Sequence, residues 1–166
     1  VDKVIGGKVE LGIVDQPFSG LDSREWYVNR MLPVVSQGHP LLGQENVGPE
    51  HLGEYPFMIY SARPNEEEMI KRWLHLCGER KHAPVRIHHL ETLKLLLPAL
   101  QAVALVPHIS VLEEREQGEL TVLPVRDGPQ ISWSTHFIHR SNLQLSLAAK
   151  TFLGFSEQFV RDRGIV

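Results

Sequence analysis

"ETLKLLLPALQAVALVP", residues 91–107, is the stretch whose reading decides the fold. It is either one long buried helix or a helix that hands over to a buried strand. Leu93, Leu96, Leu97 and Leu100 recur at i, i+3, i+4 and i+7, a helical stripe. After Gln101 the run "AVALVP" is too short for a second helix and is bounded by Pro107, so a strand is predicted there. Pro98 lacks an N–H and crowds the carbonyl of residue 94, so the helix is expected to be short or kinked, with the chain turning near 100–102. A helix starting at Glu91 aims its free N–H groups at whatever lies in front of it. A strand ending at Pro107 delivers His108 to the edge of a sheet.

Working outward, the neighbouring segments fit that reading. "VELGIV" (9–14), the apolar run in "RMLPVVSQG" (30–38), "PFMIY" (56–60) and "PVRIH" (84–88) are predicted strands. Pro64–Asn65 and the run Glu66–Glu68 open a helix to about residue 79, with Met69, Ile70, Trp73, Leu76 and Cys77 on its apolar face. "SVLEEREQG" (110–118) has a capping-box spacing, Ser110 with Glu113, and a stop at Gly118. "LTVLPV" (120–125) and "SWSTHFIHR" (132–140) read as strands. From Asn142 to near Gly164 a final helix is predicted, with Leu145, Ala148, Ala149, Phe152, Phe155 and Phe159 on its buried face. Strands alternating with helices predict an α/β fold with largely parallel sheets.

Composition excludes several classes of function. With 42% hydrophobic and 22% charged residues the chain is an ordinary globular one, so disorder is excluded. No apolar run reaches the ~18–20 residues of a membrane span, and no secretory signal opens the chain. One cysteine, Cys77, leaves no internal disulfide and fits a reducing, cytoplasmic setting. Net charge is −3 and the 17 Lys and Arg are scattered, with no basic stripe of the kind that phosphate-driven DNA binding needs.

Motifs for catalysis are missing as well. His88 and His89 are adjacent, and His136 and His139 differ by three, so each pair splits across the faces of a strand and cannot share an ion. The sequence contains no HExxH, CxxC, GxSxG, GxGxxG or P-loop, so no catalytic residue, metal or cofactor is assigned. His39–Pro40 reads as a structural turn. What remains is a ligand pattern. Asp15 and Gln16, Ser61 and Arg63 follow predicted strands, Glu91 and Thr92 start the helix, and His108 follows the strand after it. Open α/β sheets bind small molecules at such positions, and a hydroxyl beside free helix N–H groups suits an anion.

Several of these stretches together resemble the LysR-type transcriptional regulators. "GGKVELGIV", "LPVVSQGHPLL", "LETLKLLLPALQAVALVPHISVLEEREQGELTVLPV" and "LAAKTFLGF" are similar to that family's signatures, in its order and over nearly all of the chain. The resemblance implies a type II periplasmic-binding-protein-like fold, two α/β lobes with a hinge of two crossover strands, near 28–32 and 112–122. One lobe comprises 1–28 plus 114–166, and the inserted lobe comprises 29–113. It implies a small-molecule effector held between lobes, with an anionic one fitting Thr92. It also implies a homo-oligomeric parent, dimer or tetramer, and a DNA-binding helix-turn-helix and first strand–helix–strand of the outer lobe outside this sequence. The rival readings are a stand-alone hydrolase-like α/β enzyme and a secreted solute-binding protein. In one respect the chain departs from the family: Leu100 and Ala102 stand where glycines usually surround the turn before "ALVP", and Pro98 lies just before it.

Overall fold

The computed structural model describes residues 1–60 and 67–165. The chain forms two compact units, Val1–Asn29 with Ser132–Val166, and Arg30–Ile131. It passes from one unit to the other at 29/30, inside a long strand, and back at 131/132.

In the first unit α1 (Asp2–Ile5) leads into β1 (Leu11–Val14), which pairs antiparallel with β7 (Ile131–His139). Leu11 stands opposite His139 and Val14 opposite His136. The other neighbour of β7 is β2 (Asp22–Ser36). Gly12 matters here because a Cβ on it would lie 3.0 Å from the Val4 side chain and 3.1 Å from Ile138. Closing the unit is α6 (Leu147–Asp162), whose N-cap Ser146 accepts from Ala149 N–H and donates to Glu10 at 2.6 Å. Trp26 donates its indole N–H to the Ser156 carbonyl at 3.0 Å and stacks on Phe137 at 4.6 Å.

The helix ends near the predicted point but starts at Leu147 and not at Asn142, because Ser146 caps it, and its buried face is not the predicted one. Ser156 and Val160 are buried, whereas Phe155 is 69% exposed and Phe152 46%, with Phe159 also outward. The Ser156 carbonyl on the inner side takes the Trp26 indole N–H, and Phe152 keeps an edge contact with Phe137 at 6.1 Å.

In the second unit α2 (Pro49–Leu52) precedes β3 (Phe57–Tyr60), α3 (Glu67–Leu76), β4 (Val85–Ile87), α4 (Leu90–Leu100) and β5 (Val103–Pro107). A 3₁₀ turn (His108–Val111), α5 (Leu112–Glu116) and β6 (Leu120–Val122) follow. β3 is parallel to both β4 and β5. The later part of β2 runs antiparallel to β5 and β6. The sheet is therefore mixed and not largely parallel, because strands that cross between units run against the βα repeats. Residues 114–131 also cluster with this unit. β6 pairs with Val34–Ser36, Arg126 N–H donates to the Val47 carbonyl, and the Trp73 indole donates to the Pro129 carbonyl at 2.6 Å.

The opening stretch resolves as a helix and then a strand. β5 is central, and Val103 to Val106 are fully buried, which explains an apolar run without alternation. Leu93 and Leu97 of α4 pack with Val34, Met58, Ala104, Val106 and Val111. Pro98 stays inside α4, on its exposed side. The turn is made by Gln101, left-handed at φ 45° and ψ 52°, in place of a glycine. His39 supports it. The buried imidazole bonds the Gln101 carbonyl through Nε2 at 3.1 Å, and its Nδ1 accepts from Leu41 N–H at 3.2 Å. That arrangement requires a neutral ring protonated on Nε2. Burial lowers the His39 pKa, although the Gln101 carbonyl works the other way.

Two smaller expectations also change. Leu76 is exposed where α3 ends, while Ile70, Trp73 and Cys77 are buried. Ser110 makes no capping box with Glu113; its hydroxyl donates to the Pro107 carbonyl at 2.6 Å, inside the 3₁₀ turn that precedes α5.

Candidate functional site

The parallel alignment of β4, β3 and β5 puts their carboxyl ends on one edge of the second unit's sheet. Tyr60 stands opposite Ile87, so the residues after β3 and β4 leave at the same level. His88 and His89 follow β4 and lead at once into α4, whose first turn contains Glu91 and Thr92, both exposed. His108 follows β5 on the same edge, half-buried at the start of the 3₁₀ turn. Glu91, Thr92 and His108 are therefore carried by one rim. Ser61 and Arg63, expected on that rim after β3, lie outside the described residues. Asp15 and Gln16 follow β1 in the first unit, and both are exposed.

The electrostatics of the rim depend on which charges are already paired. Lys94, one turn into α4 and with a side chain only 16% exposed, bonds Glu114 of α5 at 2.5 Å and Glu91 at 3.1 Å. Burial disfavours its charged form, but its hydrogen bonds to Glu114 and Glu91, together with their negative charge, outweigh burial and hold its pKa above the usual lysine value. Lys94 therefore ties α4 to α5 and is not available to a ligand. The His108 pKa is lowered, first by burial and then by the nearby Arg115 and Arg30.

Arg30 was not among the residues singled out from sequence. Met31 of β2 stands opposite Pro107 of β5, which brings the preceding Arg30 level with His108. The signal was available only through the pairing of strands some 75 positions apart, since Arg30 itself sits in an unremarkable polar stretch.

Elsewhere, burial pushes the Cys77 thiol up to about 11, against Arg80 and with Glu50, so it is a thiol and not a thiolate at neutral pH. Among the described residues no group of three or more His, Cys, Asp and Glu side chains could hold a metal, and no helix is long and apolar enough to cross a membrane.

Comparison with known proteins gives this arrangement a family. The model of the LysR substrate binding domain matches residues 1–161. The HTH-type transcriptional activator CmpR of Synechocystis is 24% identical over 159 residues, which are 94% of this chain and 51% of that protein. The chain thus spans about half the length of this curated relative. Among solved structures, the Synechocystis CcmR regulatory domain in complex with 2-PG superposes with a TM-score of 0.66 at 18% identity, covering 95% of this chain and 76% of that one. The reduced OxyR regulatory domain from Pseudomonas aeruginosa gives 0.63 at 18% identity, with the same coverage of 95% and 76%. These likenesses establish a fold of the periplasmic-binding-protein-like type II class. They give no support to a hydrolase or to a secreted solute-binding protein. The chain belongs to the LysR substrate binding domain family, a family of transcription regulators and not of enzymes.

Proposed function

We propose that this chain is the effector-sensing part of a LysR-type transcriptional regulator. It binds a small metabolite, and the occupied state alters how a DNA-binding domain elsewhere in the parent engages its operator. The match of the family model across residues 1–161 is the observation that carries this reading. The CcmR regulatory domain, a protein of the same fold, is held in a complex with 2-PG, which supports a small molecule as the ligand class.

The mechanism needs an effector with unequal affinity for two conformations of the parent. Such a ligand shifts their populations by its affinity ratio, and by linkage DNA must change effector affinity in return. We place the contact on the rim carrying Thr92, Glu91 and His108. Thr92 offers a hydroxyl in the first turn of an 11-residue helix, where free N–H groups and the dipole favour negative charge. The parent is expected to be a cytoplasmic homo-oligomer, dimer or tetramer.

Calorimetry of the parent regulator against a panel of small carboxylates and phosphates tests the reading. A ligand that binds wild type should bind Thr92→Val about tenfold or more weakly, since a lost hydrogen bond to a charged group costs about 1.5–3 kcal/mol. Binding that leaves operator affinity unchanged would refute the sensing role.

A further inference from the structure

Two arginines lie at this rim outside its ion pairs. Arg30 lies level with His108 through the β2–β5 register, and Arg115 comes from α5, directly after the turn that His108 begins. Both arginines are exposed. Neither belongs to an ion pair formed among the described residues. Arg24 is taken by Glu157, Arg86 by Glu67, Arg126 by Asp127, and Lys94 by Glu91 and Glu114. The charges of Arg30 and Arg115 both act on half-buried His108, depressing it after burial itself. Two like charges that act on one imidazole disfavour its charged form, and an anion beside them offsets that effect.

We propose that Arg30 and Arg115, with His108 beside them, form an oxyanion subsite that takes the carboxylate or phosphate group of a small ligand. The inference rests on the reading of this rim as the effector site and names the charges that would select its ligand. Each guanidinium presents a planar fork of donors that matches a carboxylate or phosphate edge. His108 can donate one further hydrogen bond, and an anion alongside it opposes the effect of the arginines and favours its protonation. The charged groups facing His108 are Arg30 from β2 and Arg115 from α5.

The test is a histidine-ring NMR titration of this chain, with the His108 signal assigned by its loss in His108→Gln. Inorganic phosphate and malonate are added separately at ionic strength held constant with sodium chloride. A saturable His108 shift with phosphate, malonate or both supports the subsite and tells which oxyanion it prefers. In the Arg30→Gln/Arg115→Gln protein the apparent affinity should fall at least about tenfold, with the unfolding midpoint unchanged because both side chains are exposed. No response beyond the chloride control, or unchanged affinity in the double variant, overturns the proposal. Binding weakened by Thr92→Val but kept in the double variant overturns the arginine assignment while leaving the rim reading standing. Binding kept in both overturns the two together.

Discussion

α4 and α6 carry similar apolar stripes and have opposite fates. In α4, Leu93 and Leu97 are fully buried against β3 and β5, while Leu96 of the predicted stripe is half-buried and Leu100, at the helix end, is 49% exposed. In α6, Phe152, Phe155 and Phe159 share an i, i+3, i+7 stripe, yet a serine and a valine take the inner face. The two helices differ in what they meet. α4 crosses strands that are apolar on both faces, so either face of the sheet rewards burial. α6 meets an indole whose N–H must be satisfied, and the Ser156 carbonyl satisfies it on the inner side, while Phe152 of the aromatic stripe reaches Phe137 only edge-on. Periodicity measures the capacity to be buried; the partner decides which residues use it.

The sharpest way to break this comparison is a matched pair of truncations followed by chemical denaturation. Leu97→Ala should cost about 2–5 kcal/mol, the range for deleting a buried leucine side chain. Phe155→Ser should stay within about 0.5 kcal/mol, as for surface positions away from special contacts. If Phe155→Ser costs as much as Leu97→Ala, another surface covers that face in solution, which sedimentation across a concentration range would reveal.

A smaller effect tests how α4 ends. His39→Leu keeps bulk but leaves the Gln101 carbonyl and the Leu41 N–H without the ring, and should cost about 1–3 kcal/mol. The same residue sets a pH dependence. Unfolded, His39 protonates near its ordinary 6.5, whereas the folded ring does so only at lower pH. Its contribution is therefore complete above 6.5 and is lost as pH falls from there through the folded value. Unfolding free energy in wild type should decline over that window more steeply than in His39→Leu. His108 is depressed as well, so the comparison is best made in a His108→Gln background.

The smallest expected change is a gain. Gln101 holds a left-handed conformation that costs a residue with a Cβ about 1–2 kcal/mol. Gln101→Gly removes this strain but adds backbone entropy to the unfolded chain, so a net stabilisation of about 1 kcal/mol or less is expected. The His39 bond reaches a backbone carbonyl and survives the change. A destabilised Gln101→Gly protein would mean that the glutamine side chain contributes something beyond its backbone.

Much of the second unit was legible because its signals are local. The stripe of α4, the non-alternating run of β5 and the breakers between them each lie within a few residues, and each points to the same arrangement. Thr92 and His108 were legible for the same reason, as residues beside a helix start and a strand end. The signals of the first unit are not local. β2 is a 15-residue strand whose first half, "DSREWYVN", has neither an apolar run nor clean alternation, so only its pairing with β7 makes it a strand.

By itself the sequence determined where the βα repeats lie, that Gln101 or a neighbour must turn the chain, and that no nucleophile or metal motif is present. Those follow from side-chain periodicity, proline and residue type, which are properties of short stretches. Only the tertiary structure decided which face of α6 is buried, that β2 runs against β5, and that Arg30 stands level with His108. Those depend on strand register and on the hydrogen-bond demands of groups far apart in the chain, such as Trp26 on Ser156, 130 residues away. No local pattern encodes them, because the free energy that selects them exists only once the partners have met.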